Sequence, residues 1–313
     1  MKPDVLALGA FPPGMMARMA EQFTLHHFVP DDPFPSTALA PEVRARVCAI
    51  ATEANRGATR ELIFALPKLE VISVFGVGVD AVDVAAARER RIPLTNTPGV
   101  MAAAVADYAI GLMIASAREI LPSDRYAREG RWPTGPYGLG RDLTGKRVGV
   151  LGLGAIGAGI ARRASAFDMT VSYSEIAPNA AVPYRFIKDP VELAKNSDFL
   201  IVACFGGPTT RHLVSAQVIE ALGPEGTLIN IARGSIVDEQ ALIAALKAKK
   251  LRAAALDVFE HEPRIPAELL AMPNVIVQPH MGAATIETRE RIGTLVVDNI
   301  VAQLAGKPLL TPV

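Results

Sequence analysis

Short runs of Val, Ile, Leu and Ala alternate along this chain with stretches whose apolar residues recur at helical spacing. In the first third the strand-like runs are DVLALG (4–9), TLHHF (24–28), VCAIA (47–51), VISVF (71–75) and IPLTN (92–96), with helical patterns at 59–66 and 82–90. Further on come RVGVLG (147–152), TVSYS (170–174), FLIVAC (199–204), TLINIA (227–232), AAALDV (253–258) and VIVQP (275–279). Helical patterns at 155–167, 215–222 and 238–247 separate them, the last two opened by the good N-cap residues Ser215 and Asp238. Strand and helix in alternation predict an α/β protein with parallel sheets. The six later strands suffice for a doubly wound nucleotide-binding fold, and the five earlier ones make a smaller α/β unit. A last helical pattern at 284–304 is surplus to the nucleotide fold, so it is expected to return to the first unit. That gives a discontinuous substrate domain, 1–97 with 284–313, around a dinucleotide-binding domain, 98–283, with a ligand cleft between them. No internal repeat appears, and the loop-rich patch is 130–142 (GRWPTGPYGLGRD).

Composition narrows the partners. Of 313 residues, half are hydrophobic and a fifth charged, and 32 basic side chains balance 32 acidic ones. This excludes intrinsic disorder and argues against nucleic acid, which would call for a basic excess. The expected partner is a small molecule. The apolar stretch 100–116 contains Asp107 and Tyr108 and is short for a membrane span, so it reads as a buried helix. The N-terminus reaches Asp4 without a long apolar core and does not read as a signal peptide. Cys48 and Cys204, both in apolar runs, read as free thiols of a reducing compartment. A soluble cytoplasmic protein is expected, without membrane or nucleic-acid partners. No His/Cys cluster suggests a metal, and no Gly-x-Ser-x-Gly elbow a hydrolase.

The first chemical motif is Gly152-Leu153-Gly154-Ala155-Ile156-Gly157, between a strand and an amphipathic helix. Its first glycine permits the tight turn, its second the approach of backbone to a pyrophosphate, its third close helix–strand packing. The N–H groups and partial positive charge of the helix N-terminus then face the phosphates. Glu175, 23 residues after Gly152, ends the next strand, where an acid accepts hydrogen bonds from the adenosine ribose. Its charge would repel a 2′-phosphate, and 171–184 contains no Lys or Arg to hold one. The residues therefore predict NAD, with NADP as the alternative. The upstream loop Gly76-Val77-Gly78-Val79-Asp80 lacks a third glycine and reads as a backbone cradle for a small anion such as a carboxylate.

Ligands of open α/β sheets bind beyond the carboxyl ends of the strands. Three later strands deliver Arg233, the segment Phe259-Glu260-His261-Glu262-Pro263, and His280 to that edge. Arg233 offers a planar donor fork for a carboxylate and an adjacent oxo oxygen. His280 can exchange a proton near neutral pH. Glu262 would orient the imidazole and favour its protonated form, with Glu260 or His261 as alternatives. Protonated His280 then donates to a carbonyl oxygen as hydride arrives. His26, His27 and His212 lack comparable partners and read as structural.

These residues resemble the D-isomer-specific 2-hydroxyacid dehydrogenase family over essentially the whole chain. The resemblance is carried by GVGVD (76–80), Asn96-Thr97-Pro98, the GLGAIG loop, NIARG (230–234), Asp257-Val258-Phe259 with Glu262-Pro263, and Pro279-His280 with Gly282. The glyoxylate/hydroxypyruvate reductase branch, including hydroxyphenylpyruvate-type reductases, is nearest. Membership implies a Rossmann nucleotide domain with a flavodoxin-like substrate domain, and reduction of a small 2-oxo acid to the D-2-hydroxy acid. It implies Arg233, Glu262 and His280 as the catalytic set, and Val77 and Gly78 backbone contacts to the substrate carboxylate. Around the cofactor it implies Cys204, Ile231, Asp257 and Gly282 besides the glycine loop, Arg233 and His280. It also implies a homodimer, with Trp132 reaching toward the partner subunit's site. The acyl pocket would draw on 52–56, Trp132 and Met281. Branch members commonly prefer NADPH, with a small polar and a basic residue after the second strand. Ser174-Glu175-Ile176 lacks the base, and the residues are followed here toward NAD. The alternatives are a formate- or phosphite-type dehydrogenase of the same fold, or a dinucleotide-sensing corepressor-like protein, for which residues 307–313 supply no added tail.

Overall fold

The computed structural model describes residues 2–29 and 36–313. The chain divides into two compact units, the first running to Met101 and resuming at Thr285, the second spanning Ala102–Ala284.

The first unit is built on β1 (Asp4–Leu8), β2 (Thr24–Phe28), β3 (Val47–Glu53), β4 (Val71–Phe75) and β5 (Leu94–Thr95). All pairings are parallel, in the order β2-β1-β3-β4-β5, the flavodoxin-type arrangement. The period of two sorts side chains between two faces. Leu6, Leu8, Ile50, Ile72 and Val74 pack with Leu62, Ile63, Ala86 and Ala87, which lie on helices Arg60–Ala65 and Val84–Glu89. Val5, Ala7, Ala49, Ala51, Val71 and Phe75 pack on the other face against Met15 and Met19 of helix Pro13–Gln22. Ile292, Val296, Val297 and Ile300 complete this second layer, so helix Ile286–Leu304 belongs to this unit. Cover on both faces explains why β1, β3 and β4 are nearly continuous apolar runs.

The second unit holds β6 (Arg147–Leu151), β7 (Thr170–Ser174), β8 (Arg185–Phe186), β9 (Phe199–Val202), β10 (Thr227–Asn230), β11 (Ala253–Leu256) and β12 (Val275–Val277). They form one parallel sheet, ordered β8-β7-β6-β9-β10-β11-β12. The order reverses between β6 and β9, the switch point at which such sheets bind dinucleotides. Helices Pro190–Lys195, Ala216–Leu222 and Glu239–Lys247 cover one face through Leu193, Val218, Ile219, Leu242 and Leu246. Helices Ala102–Ala117 and Ala155–Ser165 pack together on the sheet as well. No helix of the described residues is long and apolar enough to cross a membrane.

Three expectations need correction. The sheet has seven strands, because β8 adds two residues beside β7; a two-residue strand carries no hydrophobic period to read. Strands β9 to β12 each end two residues before the apolar pattern does; the first residue past each strand still donates its N–H to the neighbouring strand, and the chain leaves the ladder after it. Ser215 occupies an N-cap without a side-chain hydrogen bond, whereas Asp238 accepts one from the Ala241 N–H at 3.0 Å.

A Cβ placed on Gly157 would lie 1.9 Å from the Gly152 carbonyl oxygen. Gly157→Ala is therefore expected to cost about 2 kcal/mol of stability, within the range for overpacking, read as a lowered midpoint in chemical denaturation. A midpoint equal to the parent's would contradict this packing.

Candidate active site

The glycine loop leaves β6 at Gly152, whose φ of 97° and whose closeness to Cys204 exclude a side chain; a Cβ there would lie 2.5 Å from the Cys204 Cα. Gly154 caps helix Ala155–Ser165 with no side-chain hydrogen bond, and a Cβ there would meet nothing within 4 Å. A helix N-terminus whose N–H groups no side chain caps, opening on empty space, fits a pyrophosphate. The Glu175 carboxylate does not point away: Oε2 accepts from the Leu153 N–H at 2.9 Å, and Oε1 from the Ile176 N–H at 3.0 Å. It is thereby set beside the glycine loop, where an adenosine ribose would lie. Cys204 borders the loop, and burial pushes its thiol up to about 11, which keeps it protonated and inert.

Beyond β10, Asn230 builds the turn that carries Arg233. Its side-chain amide donates to the Arg233 carbonyl at 2.9 Å and accepts from the Ala232 N–H at 3.1 Å. Gly234 is buried, and a Cβ there would lie 1.9 Å from the Phe259 carbonyl carbon, so this glycine permits contact between two backbones. The Arg233 stem lies over Gly206, where a Cβ would come within 2.6 Å of its Cγ. Nη1 donates to the Ala232 carbonyl at 2.8 Å.

Beyond β11 and β12, Glu262 meets His280: Oε2 lies 2.8 Å from Nδ1, while Oε1 accepts from the Phe259 N–H at 3.1 Å. Burial works against the Glu262 charge, but the His280 hydrogen bond, the Phe259 amide and nearby Arg233 hold its carboxyl below the usual range. The alternatives fall elsewhere. Glu260 turns to Arg211 at 2.6 Å and His212 at 3.1 Å, and His261 is exposed. His280 has a φ of 55°, uncommon for a residue with a side chain. Its N–H donates to the Asp257 carbonyl at 2.9 Å. The Asp257 carboxylate accepts from the Met281 N–H at 2.6 Å and the Gly282 N–H at 2.8 Å. Burial raises the Asp257 pKa against the pull of those amides and of His280.

The second unit thus brings together Arg233, Asp257, Glu262, His280 and Gly282 on one loop cluster. It places Ile231, buried, at the end of β10, and Ala155 and Ile156 in the first turn of the glycine-loop helix. Val77 and Gly78 lie in the first unit, past β4, where the Val77 carbonyl accepts from Asn96 Nδ2 at 2.8 Å. Thr52 is fully buried with its hydroxyl on the Gly57 carbonyl at 2.7 Å, so it drops out of the expected acyl pocket. The other histidines do have partners: His26 meets Asp4 at 2.8 Å, His27 the Gly9 carbonyl at 2.8 Å, and His212 Glu260. Those contacts span 18 to 48 residues of sequence, beyond what local pattern reveals. Gly206, which lies under the Arg233 stem, is a site-shaping residue that the sequence did not reveal, and Asn230 of the NIARG motif has a turn-building role that the motif did not specify. Only Asn230 left a signal, as a polar residue closing an apolar strand.

Comparison with known proteins agrees with this geometry. Residues 110–282 match the model of the D-isomer specific 2-hydroxyacid dehydrogenase NAD binding domain. The chain is 48% identical to hydroxyphenylpyruvate reductase of Plectranthus scutellarioides over 85% of each protein. It is 41% identical to 2-ketogluconate reductase of Gluconobacter oxydans over 100% of this chain and 99% of that one. The structure of an NADPH-dependent glyoxylate/hydroxypyruvate reductase from Sinorhizobium meliloti, with NADP and malonate, superposes with a TM-score of 0.94 at 39% identity, covering 100% of this chain and 97% of that one. With two parallel α/β units, a dinucleotide loop at the switch point and these relatives, the chain belongs to the D-isomer-specific 2-hydroxyacid dehydrogenases, NAD(P)-dependent enzymes acting on small 2-oxo and 2-hydroxy acids.

Proposed function

We propose that this enzyme reduces a small 2-oxo acid of the glyoxylate, hydroxypyruvate or aryl-pyruvate type to the D-2-hydroxy acid, with Arg233, Glu262 and His280 as its catalytic residues. The observation that carries this is the Glu262–His280 pair at 2.8 Å on the same loop cluster as Arg233. The bound dinucleotide supplies the hydride. With Nδ1 engaged by Glu262, the His280 ring presents Nε2 to the carbonyl oxygen and delivers the proton that completes the alcohol. Arg233 binds the carboxylate and polarises the adjacent oxo group. The Val77 and Gly78 amides are the proposed cradle for the substrate carboxylate.

NAD is the proposed preference over NADP. The Glu175 carboxylate, fixed by the Leu153 and Ile176 amides, puts a negative charge where a 2′-phosphate would sit. A homodimer is proposed for this chain, because Ile120, Leu121, Trp132 and Leu139 of one segment are exposed, Trp132 by 72% and Leu139 by 96%. Trp132 is the proposed reach toward the partner's site. Free Cys48 and Cys204 fit a reducing, cytoplasmic setting.

His280→Ala and Arg233→Ala are each expected to lower kcat/KM by at least about a hundredfold, measured with glyoxylate, hydroxypyruvate and phenylpyruvate. Near-parental turnover in both variants would sink the catalytic assignment. NADH should give the higher kcat/KM, and Glu175→Ser should move the ratio toward NADPH by about tenfold or more; a parent that already favours NADPH strongly contradicts the assignment. The depressed Glu262 carboxyl means that its pairing stabilises the fold above the ordinary carboxylate range and is lost as pH falls below it. His280→Ala should therefore destabilise more at about pH 6 than at about pH 3, and equal losses in denaturation at both would show the pair to be uncoupled from folding.

A further inference from the structure

One polar atom beside this site has no part in the proposed reaction. The Tyr108 hydroxyl is buried and has no hydrogen-bond partner among the described residues. Tyr108 lies on helix Ala102–Ala117, one turn after Val105. A Cβ on Gly282 would lie 3.1 Å from Asp257 Oδ2 and 3.6 Å from the Val105 Cγ1, so this helix face packs over the Asp257–Gly282 contact. A buried phenol left without a partner costs free energy, and the helix that carries it packs against β11, the strand that ends at Asp257. Burial, then the Asp257 charge, push the Tyr108 pKa above its ordinary value, so the phenol stays protonated and able to donate.

Asp257 has a definite task in this loop. Its two oxygens hold the Met281 and Gly282 amides, and its own carbonyl holds the His280 N–H. Those three contacts secure the left-handed backbone at His280, which would otherwise relax. A carboxylate oxygen accepts more than one hydrogen bond. Asp257 therefore has acceptor capacity left for a phenol while both amides stay bound.

We propose that Tyr108 is a positioning residue for the proton transfer: its hydroxyl braces Asp257, which holds the 281–282 amides and, through them, the His280 imidazole. This rests on the reading of His280 as the acid. The phenol does not touch substrate; it acts on where His280 stands.

Tyr108→Phe keeps the ring and removes only the hydroxyl. It should lower kcat for 2-oxo acid reduction about tenfold, less than the hundredfold that a 1 Å misplacement can cost, with the KM for NADH within about twofold of the parent. In the enzyme without added cofactor, hydrogen exchange followed by mass spectrometry should show faster exchange in the peptide covering residues 280–284, and unchanged exchange in the β6 and β9 peptides. Gly282→Ala, which crowds Asp257 Oδ2 from the other side, should give the same pair of effects, and the double variant should fall short of the product of the singles. Unchanged exchange at 280–284 with kcat within about twofold of the parent overturns the proposal. So does a raised KM for NADH at parental kcat, which would make Tyr108 a cofactor contact instead. His280→Ala in the same assay separates the two readings. If that variant keeps its turnover, the acid was misassigned; if it fails while Tyr108→Phe behaves as the parent, only the brace is wrong.

Discussion

A buried carboxylate clamped on two backbone amides holds this site together. Removing Asp257 from water is costly for an ion, and burial does raise its pKa. Charge-assisted hydrogen bonds from Met281 and Gly282 offset that cost. They also bind the loop after β12 to the end of β11. His280 stands just before them in a left-handed backbone, with its N–H on the Asp257 carbonyl, so the position of the imidazole is tied to Asp257. Gly282 sits close to the same carboxylate, and a Cβ there would lie 3.1 Å from Asp257 Oδ2.

The parallel sheet decides what reaches that clamp. Each of β9 to β12 ends two residues before its apolar run does; the next N–H still pairs with the neighbouring strand, and the chain then turns away. Asp257 leaves β11 to hold the loop of His280. Ile231 and Ala232 leave β10, where Asn230 folds the chain back and aims Arg233. Cys204 leaves β9 and closes on Gly152. The candidate site therefore sits on short turns just after strands of which β9, β10 and β11 are fully buried.

The same fact explains what sequence could and could not reveal. Hydrophobic pattern located all five strands of the first unit and six of seven in the second; most are near-continuous apolar runs because they are buried on both faces, although β2 (TLHHF) is a partly exposed edge strand. It extended several of them too far, since residues such as Ala232 and Val258 are apolar and lie past the strand ends. The glycine loop was legible because each glycine answers a local backbone demand. Glu262 was named from the sequence with Glu260 and His261 as alternatives; what the sequence could not show is that Arg211 and His212 engage Glu260 from 49 and 48 residues away. Tyr108 read as one polar residue on an apolar helix; only the packing of that helix over Gly282 gives it a neighbour.

Cofactor choice has a further consequence for the glycine loop. Glu175 accepts from the Leu153 N–H, which lies inside the GLGAIG turn. The charge that would exclude a 2′-phosphate is thus also a fastening for the turn that would cradle the pyrophosphate. Replacing Glu175 with a small polar residue removes the repulsion but also loosens that turn, so phosphate tolerance comes with a less ordered pyrophosphate site unless a basic side chain is added to re-anchor it. The cost of switching cofactor therefore lies partly in preorganisation, not only in charge. A relaxed cofactor preference reached through position 175 alone should consequently leave binding of both dinucleotides weaker, because the loop that both must meet has lost one of its internal hydrogen bonds.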